Sequence, residues 1–167
     1  RLLQGHRGGI NDVYVTPDGC RVISCGDGTL RVWNPSINQC PEEVVGAARG
    51  VACMSISPDG QTLVSGHYNE TLRIWNLHSN KCLHTFRGLS ERATWVSVAP
   101  DGKRAVSGGR DGAIYVWGLA NRRCEHFLKM HTGHISGIKI MLDGRRAISA
   151  SFADKVLHVW DIESGRC

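Results

Sequence analysis

Apolar and polar positions follow a strand-like pattern throughout each stretch of roughly forty residues. From Ile10 to Val15 apolar and polar residues alternate, and Pro17-Asp18-Gly19 then ends the strand that this predicts. Arg21-Val22-Ile23-Ser24-Cys25 predicts a second strand. Asp27-Gly28 is a hairpin signal, and the β-prone run Thr29-Leu30-Arg31-Val32-Trp33 after it predicts a third. A fourth short strand is clearest at Lys81-Cys82-Leu83-His84-Thr85-Phe86.

The pattern repeats. Pro17-Asp18-Gly19 recurs as Pro58-Asp59-Gly60, Pro100-Asp101-Gly102 and Leu142-Asp143-Gly144. Trp33, Trp75, Trp117 and Trp160 keep the same phase, and Cys40, Cys82, Cys124 and Cys167 each follow their Trp at a constant distance. Three independent markers in one phase define a period of about 42 residues, with repeats at approximately 1–40, 41–82, 83–124 and 125–167. Four short antiparallel strands per period cannot bury both faces of their sheet alone. Radial stacking solves this, so the predicted fold is an all-β propeller, one four-stranded blade per repeat.

Gly5-His6, the Pro-Asp-Gly turns and the endings Arg31-Val32-Trp33-Asn34, Arg73-Ile74-Trp75-Asn76 and His158-Val159-Trp160-Asp161 resemble the WD-repeat family over essentially the whole chain. Gly118 departs from that ending after Trp117. The resemblance implies a structural tetrad of His, Ser or Thr, Asp and Trp in each repeat. By position these are His6, Ser24, Asp27 and Trp33 in repeat one, and His131, Ser149, Asp154 and Trp160 in repeat four. In repeats two and three the His position holds Ala47 and Leu89, and Asn69 replaces the Asp of repeat two. Each missing hydrogen bond predicts a loss of about 1 kcal/mol.

The resemblance also implies where a partner touches: eight and six residues before the Pro, and just before the tetrad Asp. Most of these positions hold small residues in repeat one, where Asn11 is the largest. Repeat two offers Tyr68, repeat three Arg92, Thr94 and Arg110, and repeat four His134 and Ser136. Tyr68, Arg92, Arg110 and His134 predict a basic, partly aromatic arc on one rim, suited to an acidic or phosphorylated peptide. A family of about seven blades further implies that four are an open arc of a larger propeller, prone to self-association through open edges. The alternative is a ring of four blades, or of two chains, closed by Arg1-Leu2-Leu3-Gln4 as an outer strand.

Catalysis finds no support. His, Ser and Asp recur with the period of the fold, and the hydroxyl falls mid-strand, where a nucleophile has no access. His131 and His134 lie in turn and strand sequence with no Cys or carboxylate to complete a metal set, and no phosphate loop or other cofactor motif is present. The charge of +5 is dispersed, with no basic run interleaved with aromatic residues, which disfavours nucleic acid as the partner. Regulation of an enzyme elsewhere in a longer polypeptide is a further reading. No apolar run reaches 18 residues, so no membrane-spanning helix is expected. Seven cysteines without short pairings fit reduced thiols and an intracellular location, cytoplasmic or nuclear.

Overall fold

The computed structural model describes residues 2–36, 42–43 and 50–167, so the repeat positions Cys40 and Ala47 lie outside the described residues. Fifteen strands form four antiparallel sheets, and the described residues contain no helix. Blade one comprises β1 (Ile10–Val15), β2 (Val22–Gly26), β3 (Thr29–Trp33) and β4 (Glu42–Glu43). Blade two comprises β5 (Val51–Ile56), β6 (Thr62–His67), β7 (Leu72–Asn76) and β8 (Lys81–Phe86). Blade three comprises β9 (Ala93–Val98), β10 (Arg104–Gly109), β11 (Ala113–Gly118) and β12 (Arg123–Lys129). Blade four has β13 (Ile135–Ile140), β14 (Arg146–Ser151) and β15 (Leu157–Asp161).

Blade four therefore has three strands where four were expected. The isolated bridge between Asp161 and Arg166 stands where Asn76 pairs with Lys81 and Gly118 with Arg123 in the complete blades. Closure by the N-terminal segment is not the arrangement observed: residues 2–9 form no strand, and Leu2 is exposed.

The Pro-Asp-Gly turns recur for a physical reason. Each Asp carboxylate accepts the backbone amide two residues on, at 3.0 Å for Asp18, Asp59 and Asp143 and 2.9 Å for Asp101. The following glycine then takes φ +68° in all four turns, a conformation other residues rarely adopt.

Blades two and three each bury one face against the blade before and the other against the blade after. Ile23, Leu30 and Val32 of blade one meet Met54, Leu63 and Trp75. Val64, Leu72 and Ile74 of blade two meet Val96, Val98 and Trp117. Val106, Ile114 and Val116 of blade three meet Ile138, Ile140 and Trp160. A side chain buried this way contributes about 1.5–3 kcal/mol. Hydrogen bonds stitch neighbouring inner strands together: Met54 N donates to Asp12 Oδ2 at 3.4 Å, Val98 N to Ser55 Oγ at 3.1 Å, and Ile140 N to Ser97 Oγ at 3.1 Å.

The two end faces lack such neighbours. Leu157 and Val159, at the repeat positions of Ile114 and Val116, are 67% and 44% exposed. At the other end Val13 and Val15 are likewise exposed. The chain is an open arc.

Candidate functional site

The tetrad residues assemble inside the blades. In blade one His6 Nδ1 lies 2.9 Å from Asp27 Oδ1, His6 Nε2 lies 2.7 Å from Ser24 Oγ, and Trp33 Nε1 donates to Ser24 Oγ at 2.7 Å. Partial loss of hydration raises the pKa of the Asp27 carboxyl. Hydrogen bonds from Thr29, the Arg7 amide and His6 outweigh this and hold Asp27 well below the usual carboxylate range. In blade four His131 bridges Asp154 Oδ2 at 2.7 Å and Ser149 Oγ at 2.8 Å. Its Trp160 Nε1 is buried and finds no hydrogen-bond partner among the described residues.

Blades two and three fill the vacant His position with groups from elsewhere. Trp75 Nε1 donates to Ser65 Oγ at 2.7 Å, and His67, at the end of β6, places Nε2 2.9 Å from that same oxygen. His67 is fully buried, and burial together with the charge of Arg73 pushes its pKa down to about 4. In blade three Trp117 Nε1 donates to Ser107 Oγ at 2.9 Å. Ser90, beside Leu89, donates from its hydroxyl to Asp111, and its amide donates to the Tyr115 hydroxyl at 2.9 Å. The Tyr115 ring stacks on Trp117 with centroids 5.4 Å apart. The motif missed these substitutes because they lie one or two residues off its positions. Tyr115 was findable as the same-face neighbour two residues before Trp117. Ser24, Ser65, Ser107 and Ser149 are all buried.

The rim residues converge instead on an open concavity of about 470 Å³. Ile10 and Asn11 of β1, Ala52 of β5, and Thr94 and Trp95 of β9 line it from the starts of inner strands. Arg92 precedes β9, His134 precedes β13, and Tyr68 and Arg110 follow β6 and β10. The topology brings these points to one end of the arc. Arg92 Cζ stands 4.8 Å from the centroid of the Tyr68 ring, which itself rests on Gly50. A Cβ at position 50 would meet that ring at 2.9 Å, so glycine there keeps Tyr68 in place.

His134 is held below its ordinary pKa by burial and by the charges of Arg110 and Arg92. Two guanidinium groups and an imidazole thus converge, and among the described residues no carboxylate lines the same concavity. Asn11 and Thr94 line the site but are engaged between blades. Asn11 Nδ2 donates to Val51 O at 3.0 Å, and Thr94 Oγ1 reaches Gly108 O and Ile135 O at 3.1 and 3.2 Å. Ser136 stands outside the lining residues. Trp95, outside the repeat pattern, is 45% exposed and joins the site at a bulge between β9 and β10. The repeat markers carried no sign of it.

An arc of antiparallel blades, each centred on a buried Trp and presenting its loops at one end, defines a β-propeller domain of the repeat class. The chain belongs to the WD40 family: the WD domain, G-beta repeat matches residues 1–34, 38–76, 80–118 and 122–161. Two solved structures share the fold, one titled "Structure of U3-55K" and one "Crystal structure of RRP9 WD40 repeats". The first aligns with TM-score 0.86 and 24% identity over 99% of this chain and 52% of that chain. The second aligns with TM-score 0.87 and 24% identity over the same shares. The chain therefore spans about half the length of these solved chains. No curated protein matches the sequence.

Proposed function

We propose that this chain is a non-catalytic protein-interaction module whose concave rim binds an acidic or phosphorylated peptide segment of a partner. The observation that carries this reading is the convergence of Arg92, Arg110 and His134 beside the exposed ring of Tyr68. Arg guanidinium groups pair anions through two parallel hydrogen bonds, and a charge-assisted bond contributes about 1.5–3 kcal/mol. Tyr and Trp supply rigid apolar area at small entropic cost. The six described cysteines are free thiols, which fits a reducing intracellular compartment, cytoplasmic or nuclear. Self-association through the exposed end faces belongs to the same reading.

An array of acidic and phosphoserine peptides tests it. Arg92→Glu combined with Arg110→Glu is expected to abolish capture of the peptides that wild type retains. Unchanged capture by a folded double variant overturns the reading.

A second reading has one specific observation in its favour. Trp95 and Tyr68 lie with two arginines in one concavity, an arrangement on which unpaired bases stack. Binding of a single-stranded oligonucleotide, lost on Trp95→Ala and falling steeply with salt, would favour nucleic acid over peptide.

A further inference from the structure

Position −2 from the repeat Trp holds Arg31 and Arg73 in blades one and two, Tyr115 in blade three and His158 in blade four. In blade four this sets the His158 ring edge-on to the His131 ring, with centroids 4.7 Å apart. His131, Asp154 and His158 each offer one donor atom, and these atoms all lie within 4.8 Å of one another. Sequence spacing alone brought no carboxylate to His131, because Asp154 and His158 reach it from other segments of the blade.

We propose that His131, Asp154 and His158 form a zinc site at the end of blade four, with a solvent molecule as fourth ligand. Two imidazoles and a carboxylate suit a borderline divalent ion, and three protein ligands leave one position open. Ligand atoms around a tetrahedral zinc stand about 3.3 Å apart, given bonds of about 2.0 Å. His131 Nδ1 and Asp154 Oδ2, at 2.7 Å, are already close to that spacing. His158 must move inward from its edge-on position against the His131 ring.

Tautomer chemistry supports the same assignment. To bind a metal through Nδ1, His131 must carry its proton on Nε2, and that proton needs an acceptor. Ser149 Oγ lies 2.8 Å from Nε2. In the other three blades the Trp indole donates to the equivalent Ser oxygen. In blade four Trp160 Nε1 makes no such bond among the described residues, so the Ser149 lone pair is open to His131. The serine becomes the outer partner that orients a metal-binding imidazole.

Isothermal titration of the 167-residue chain with zinc chloride tests this. The decisive variant is His158→Arg, because blades one and two carry Arg at that position within the same fold. Wild type should bind one zinc more than tenfold tighter than His158→Arg, with Cys167→Ser retaining wild-type affinity. Cobalt substitution should give the intense visible bands of a four-coordinate site in wild type and lose them in His158→Arg. Equal zinc affinity in wild type and a folded His158→Arg overturns the site. So does binding that disappears with Cys167→Ser, whose Sγ lies 3.5 Å from His158 Nδ1 and would then be the true ligand.

Discussion

Blades three and four carry the same sequence pattern and experience different surroundings. Ile114 and Val116 of β11 are fully buried, while their counterparts Leu157 and Val159 stand in solvent. Ser97 of β9 accepts an amide from the next inner strand, while Lys139, at the same position of β13, is exposed and has no oxygen to offer. A repeat position thus specifies an apolar side chain, and the neighbouring blade decides what that side chain contributes. Lys139 also sets a charge on the open face, a common device for discouraging indiscriminate sheet stacking.

The largest expected effect separates these two blades directly. Ile114→Ala should cost about 2–5 kcal/mol in urea denaturation through loss of buried contact and the cavity left behind. Leu157→Ala should cost less than about 1 kcal/mol, as at other exposed sites. Equal costs would mean that the open face of blade four is covered in solution.

Acid should sharpen the contrast between blades two and four. His131 is bonded to Asp154, whereas His67 is bonded only to Ser65 and has a buried Nδ1 with no partner among the described residues. The unfolded chain protonates this histidine near pH 6.5, but the folded chain resists protonation until about pH 4. Stability therefore falls as pH drops from 6.5 to 4, by about 3 kcal/mol at most. Denaturation midpoints measured across that range should flatten in His67→Gln. An unchanged slope would assign the acid sensitivity to other groups.

The smallest effect concerns the indole itself. Trp117→Phe removes a made hydrogen bond, whereas Trp160→Phe removes a donor that has no acceptor. The lost ring area is the same, so Trp117→Phe should be the costlier change by about 1 kcal/mol in paired denaturation curves. No difference would mean that Trp160 finds an acceptor in solution.

Much of this architecture was legible in the chain. The runs Ile10–Val15, Thr29–Trp33 and Lys81–Phe86 are strands with the expected limits, because alternation and turn chemistry act locally. The rim residues were legible through the family's geometry, and Tyr68, Arg92, Arg110 and His134 do line one concavity. What escaped depends on register between strands. His67, Ser90 and Tyr115 occupy the tetrad from off-motif positions, and Trp95 reaches the rim at a bulge that no spacing announces.

The serine stitches have a consequence for how the molecule opens over time. Each links one inner strand to the next and to nothing beyond, so a blade is held only by its immediate neighbours. Arrays coupled in this way lose structure progressively from their weakest end. Blades two and three, gripped on both sides, form the slowest-opening part of the arc and hold Tyr68, Arg92 and Arg110 in position.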